Sequence, residues 1–190
     1  MKKLIIAFLV LAISSFASTL NNYSLDKNHA RLGFSVVHFG ISHVEGNFKN
    51  FNATLNSSKE DFTDAVIEIT ADVKSINTEV EMRDNDLRSE NWFNTDKYPD
   101  ITFRSTSFKK TEGSNYDLSG DFTMCGVTKP VLFNAIYNGK AVNPHYNTKS
   151  VGFTITGKLY RSDFKLGGEP LMTGVSDEVE LKSNVEFIVK

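Results

Sequence analysis

Residues 179–190, the last twelve of the chain, alternate in character. Val179, Leu181, Val185, Phe187 and Val189 fall on one parity, and Glu180, Lys182, Asn184, Glu186 and Lys190 on the other; only Ser183 and Ile188 depart from the rule. Side chains of a β-strand point alternately to opposite faces, so such a segment has one dry side and one wet side. It is a wall between water and something apolar, and what lies behind it is either a packed core or a cavity with a guest.

The same period recurs along the chain. Ala30, Leu32, Phe34, Val36 and His38 share one face, and Val44, Gly46 and Phe48 continue the pattern. Phe51, Ala53 and Leu55 then fall on the opposite parity, which predicts a bulge near Lys49 and Asn50, a device that bends and twists a strand as barrel closure requires. Ile67, Ile69, Ala71 and Val73 alternate with Glu68, Thr70 and Asp72, and further strands are predicted at 101–108, 116–124, 131–137 and 151–160, about eight in all. Turn chemistry marks 56–61, 112–115, and Asn138-Gly139 continuing to Asn143-Pro144; the longest connector, 165–176, carries Gly167, Gly168, Pro170 and Gly174. No long crossover helices are present, so the neighbours are antiparallel. One segment breaks the period: Thr78 and Glu81 are spaced as a capping box, predicting a helix of about three turns over 79–89, followed by the aromatics Trp92, Phe93 and Tyr98. The expected fold is all-β, an antiparallel eight-stranded barrel with one short helix closing or covering an end.

Lys2, Lys3, an apolar run from Leu4 to Ile13 and the small residues Ser15 and Ala17 form a secretory signal peptide, with cleavage after Ala17. The run is shorter than the roughly 20 residues a membrane span needs. The expected organisation is a signal peptide over 1–17 and one barrel domain over 18–190, with no integral membrane span in the mature chain. Loss of Lys2 and Lys3 leaves 19 basic against 23 acidic residues, a net charge of about −4. That balance lacks the basic footprint of a nucleic-acid partner. Cys125 is the sole cysteine, so no intramolecular disulfide forms; it reads as a small buried apolar residue in preference to a reactive thiol.

Chemistry-bearing patterns are sparse. His38 and His43 are five apart, which puts them on opposite faces of a continuous strand; His29 and His38 meet the same objection, and His145 sits in a connector. A structural metal site is therefore disfavoured. There is no Gly-x-Ser-x-Gly elbow and no phosphate-cradling glycine loop. Asp84 and Asp86 lie beside Arg83 and Arg88, which favours surface ion pairing. His38 shares the face of Leu32, Phe34 and Val36: it is either a satisfied core histidine or the contact for a guest's polar end. Of the 15 phenylalanines, Phe8 and Phe16 leave with the signal peptide, and many of the rest sit at strand positions, where they fill a core or line a lumen.

Several strings, taken together, carry a family resemblance. Tyr23-Ser24-Leu25-Asp26 with His29, Phe34-Ser35-Val36-Val37-His38-Phe39-Gly40, Gly46-Asn47-Phe48, Ser75-Ile76-Asn77-Thr78, Arg83-Asp84-Asn85-Asp86-Leu87-Arg88-Ser89, Tyr98-Pro99 with Thr102-Phe103, Gly120-Asp121-Phe122-Thr123, Gly126-Val127-Thr128-Lys129-Pro130-Val131 and Arg161-Ser162-Asp163-Phe164 run in the order of the YceI-like family of exported lipid-binding proteins, which the chain resembles across nearly all its mature length. The resemblance implies an extended lipocalin-like barrel, a periplasmic location, a long isoprenoid or similar amphiphile in the interior, no cofactor besides that lipid, and no catalytic residue. Asp86 departs from the pattern, standing where the family commonly has histidine. On this reading the tail lies along Phe34, Val36, Ile67, Ile69, Phe103, Phe122, Phe133, Phe153 and Ile155, with Phe48, Trp92 and Phe93 completing the lining and His38, Arg83 and Asp84 nearer the mouth. Two other readings stay open: an enzyme acting on a lipid through His38 with Asp84 or Asp86, and a solid-core interaction protein such as a homodimer.

Overall fold

The computed structural model describes residues 20–168 and 173–189; the expected signal peptide over 1–17 lies outside the described residues. In chain order the elements are β1 (Asn21–Leu25), β2 (Arg31–His38), β3 (Ser42–Phe48), β4 (Phe51–Ser57), β5 (Val66–Asp72), β6 (Ile76–Asn77), helix α1 (Glu81–Arg88), β7 (Asp100–Lys110), β8 (Asn115–Met124), β9 (Val127–Asn143), β10 (Thr148–Tyr160) and β11 (Val175–Val189). Every pairing is antiparallel, and β1 pairs with both β4 and β11, which closes the sheet into a barrel.

Three of the walls are bent. β1 and β2 both lie along β11, β1 on its last residues (Leu25 opposite Phe187) and β2 on its first (Val36 opposite Val179), with a short 3-10 turn between them. β4 and β3 follow them as the next wall, and β5 and β6 as the third, so eight walls surround the interior. The wall made of β3 and β4 breaks at Lys49 and Asn50, and the inward parity switches there from Gly46 and Phe48 to Ala53 and Leu55, the bend predicted from the pattern. On β11, Ser183, Val185 and Phe187 are buried, so the dry face of the opening alternation points inward.

Two expectations are corrected. Asn138-Gly139 is not a turn: β9 runs through it to Asn143 opposite the start of β10, and the irregularity of register there is taken up at Gly152 and Phe153. The capping box does not form. The helix starts at Glu81 after Glu79 adopts a left-handed backbone, and Glu81 is exposed with its carboxylate 3.8 Å from Arg88. Thr78 is instead tied to the helix interior, since the buried carboxylate of Asp84 accepts from its N–H (2.9 Å) and hydroxyl (2.6 Å). Arg88 donates to the carbonyls of Lys74 and Ile76, pinning the short helix to the barrel rim.

The two ends differ. At one, the 58–65 connector folds Phe62 into the opening against Tyr23, Tyr137 and Phe153, and Tyr116 donates its hydroxyl to Asp61. Phe153 also meets Phe108 and Phe187, and Phe108 stacks on Tyr116 at 4.5 Å, so this half of the barrel is filled by aromatic rings. At the other end α1, the turn carrying Trp92 and Phe93, and the 3-10 turn Arg161–Phe164 lie over the strand ends, and the interior beneath them is not filled.

Candidate functional site

The covered end holds a cavity of about 270 Å³. Leu32, Phe34, Val36 and His38 of β2 and Val175, Val179 and Leu181 of β11 form one side, and Ile101, Met124 and Leu159, at the ends of β7, β8 and β10, form the other. Trp92, Phe93, Leu87 and Leu166 roof it. Apart from Thr78, its polar wall residues are His38, Arg83, Asp86 and Arg161. An apolar cavity with a few placed polar groups binds an amphiphile by its tail and orients it by its head.

The floor depends on glycine. A Cβ on Gly46 would sit 2.3 Å from the Phe34 ring, so that ring lies flat across β3 only because residue 46 has no side chain. Phe103 lies on Gly120 and Phe133 on Gly157 in the same way, and these two rings meet at 5.6 Å beneath Phe122. Neither Phe103 nor Phe133 borders the cavity; Phe122 above them does.

The polar groups are held individually. The indole N–H of Trp92 donates to Asp86 at 3.1 Å, and Trp92 packs under the Arg161 guanidinium at 5.5 Å. Arg83 donates to the hydroxyl and the carbonyl of Thr78, both at 2.7 Å. His38 packs edge-on against Phe39 at 4.4 Å. The carboxylates of Asp84 and Asp86 are engaged by Thr78 and Trp92, so neither makes the pairing with His38 that the enzyme reading requires, nor the surface ion pairs expected of them. Cys125 is half-buried with its thiol pushed up to about 11 by burial, which suits a packing role. Among the described residues no group of three or more His, Cys, Asp or Glu is placed to hold a metal ion, and no helix is long and apolar enough to cross a membrane.

Of the residues expected to line a site, Phe34, Val36, His38, Phe48, Arg83, Trp92, Phe93 and Phe122 border the cavity. Ile67, Ile69, Phe103, Phe133, Phe153 and Ile155 do not: they face inward, but at the level of the aromatic fill or beside it. Asp84 is buried behind the wall against Thr78. Sequence reasoning missed Arg161, Leu159, Leu166, Met124 and the start of β11. Arg161 was visible in the Arg-Ser-Asp-Phe string, but nothing local says that its side chain turns inward.

Fold and site define a closed antiparallel barrel with an apolar chamber at one end. A YceI-like domain is matched over residues 23–187, and the chain belongs to that family. It is 35% identical over 185 residues to Protein YceI of Escherichia coli, covering 96% of this chain and 95% of that one. The crystal structure of Burkholderia cenocepacia BcnA superposes with a TM-score of 0.77 at 22% identity, covering 85% of this chain and 98% of that one. A polyisoprenoid-binding domain from Saccharophagus degradans superposes with a TM-score of 0.68 at 16% identity, covering 88% and 98%.

Proposed function

We propose that this chain is a periplasmic binding or carrier protein for a long-chain apolar lipid, an isoprenoid, an isoprenoid quinone, or a fatty acid or amide, seated in the chamber roofed by Trp92 and Phe93. The carrying observation is that one half of the barrel is packed solid with rings while the other keeps about 270 Å³ of apolar space. Interiors are otherwise packed to crystal-like density, so a retained void of this size calls for an occupant. Membership of the YceI-like family and the same fold in a polyisoprenoid-binding domain support the reading.

The energetics are sufficient. Each buried methylene contributes about 0.8 kcal/mol gross, and micromolar affinity needs about 8 kcal/mol net. A chamber near the lower edge of the usual 300–1,000 Å³ range therefore binds usefully through one apolar segment of a longer lipid. Export through residues 1–17 would place the protein where membrane lipids must cross water. The test is mass spectrometry of an organic extract from protein purified without detergent. A co-purifying long-chain lipid is expected; none, together with failure to take up quinones and fatty acids, would sink the proposal.

A further inference from the structure

Arg161 is 2% exposed and forms part of the chamber wall. Three of its N–H groups are spoken for: Nε donates to the carbonyl of Ser176 (2.8 Å), Nη1 to Leu166 (3.1 Å) and Nη2 to Val175 (2.9 Å). A guanidinium carries five, so one remains on each terminal nitrogen. Among the described residues no carboxylate forms an ion pair with it. Asp177, the nearest in influence, spends its oxygens on the N–H and hydroxyl of Ser162. Burial pulls the Arg161 pKa down, and the charge of Asp177 only partly offsets it.

Arg83, half-buried on the opposite side of the roof, is likewise in no ion pair among the described residues, and its Nη1 makes no hydrogen bond there. Among the described residues bordering the chamber Asp86 is the carboxylate, and it accepts from the Trp92 indole. Arg83 shares the Thr78 hydroxyl with the buried carboxylate of Asp84, which leaves Arg161 as the wall cation with no carboxylate bonded to it among the described residues. A buried charge is expensive unless paired. Among the described residues no carboxylate bonds to Arg161, and a ligand can supply one.

We propose that Arg161, backed by the Trp92 ring, is the anchor for a monoanionic carboxylate head, so that the preferred ligand is a long-chain carboxylate lying with its tail toward Phe34 and Phe122. This rests on the lipid-binding reading and narrows it to one head group. A phosphate monoester, which carries nearly two charges near neutral pH, exceeds the single charge of Arg161.

The test uses delipidated full-length mature protein and four probes of equal chain length: hexadecanoate, hexadecanol, methyl hexadecanoate and hexadecyl phosphate, each titrated calorimetrically. Hexadecanoate is expected to bind at least about tenfold more tightly than the alcohol and the ester, the range for hydrogen bonds to a charged group. In Arg161→Met the ratio of acid to alcohol affinity should fall to about one. Because Arg161 also ties down the 166 and 175–176 backbone, a second readout needs no variant: with carboxyl-labelled [1-13C]hexadecanoate, the carboxyl resonance of the complex should titrate at lower pH than in the unbound lipid. Equal affinity for acid and alcohol, tighter binding of the phosphate, a folded Arg161→Met that keeps the preference, or an unshifted carboxyl titration each overturns the assignment. Failure of all four probes while a quinone is taken up overturns the carboxylate assignment alone; failure of the quinone as well overturns the lipid-binding reading itself.

Discussion

Adding one methyl group to Gly46 should shrink the chamber without touching its roof. The Cβ of Gly46→Ala would lie 2.3 Å from Cζ of Phe34 and within 2.9 Å of two further atoms of the same ring. Carbon atoms settle at roughly 3.5–4.0 Å, so the ring must move by about 1.2–1.7 Å, one bond length of an alkyl chain. It lies against the strand on its other side, so it moves into the chamber it borders. One or two methylenes of a tail then lose their seat. At about 0.8 kcal/mol each, affinity for a tail that fills the chamber falls about four- to fifteenfold.

Overpacking carries its own stability loss of about 1–3 kcal/mol, so affinity must be compared with a variant that overpacks elsewhere. Gly157→Ala serves: its Cβ would lie 2.2 Å from the Phe133 ring, which belongs to the aromatic fill and not to the chamber wall. Urea unfolding should show both variants destabilised, and titration with a graded series of fatty acids should show only Gly46→Ala losing affinity, most for the longer chains. Equal affinity in Gly46→Ala and wild type across the series would refute the placement of the tail against Phe34.

Phe62→Ala should cost about 3–5 kcal/mol in urea unfolding, since Phe62 is 3% exposed in the fill at the far end, yet leave lipid affinity within twofold; a large affinity loss would mean that the two ends are not independent. Burial works against ionisation of Asp64, but the hydroxyls of Ser57 and Ser58 and the N–H groups of Ser58 and Lys59 outweigh it and hold the carboxyl well below the usual range. A lowered native pKa stabilises the fold above the unfolded value of about 3.9 and ceases to do so as pH falls through the native value. The melting-temperature gap between wild type and Asp64→Asn should therefore be full near pH 7 and close at acid pH, and a gap that is constant down to about pH 2 contradicts this account. Cys125, with its thiol near 11, should react with a neutral thiol reagent at about pH 8 at least a hundredfold more slowly than an unhindered cysteine of pKa about 8.5, and at the ordinary rate once the protein is denatured.

The walls of the barrel were legible because parity is a local property. Ser183, Val185 and Phe187 turn inward as the alternation of β11 requires, and the parity switch between Phe48 and Phe51 marks a real bend. The helix was legible as an interruption of the period, but its start was not. Thr78 looked like a cap by spacing, yet its hydroxyl pairs with Asp84 six residues on, because the left-handed turn at Glu79 takes the chain out of capping geometry.

Height along the barrel is a different kind of information. Parity says whether Phe103 or Val36 faces inward; only the register between strands distant in sequence says at which end. Phe103 faces Phe122 across β7 and β8, yet Phe122 borders the chamber and Phe103 lies in the floor beneath it, one ring held aside by a glycine on the neighbouring strand. Phenylalanine thus plays two opposed roles in one interior: it fills the end sealed by Phe62 and limits the chamber at the end roofed by Trp92. Counting aromatics could not separate a solid core from a lumen, because this barrel contains both. What separates them is where the charged groups turn inward. Arg83 and Arg161 enter only the end that is left open, and a fold that had no use for space there would have buried rings in their place.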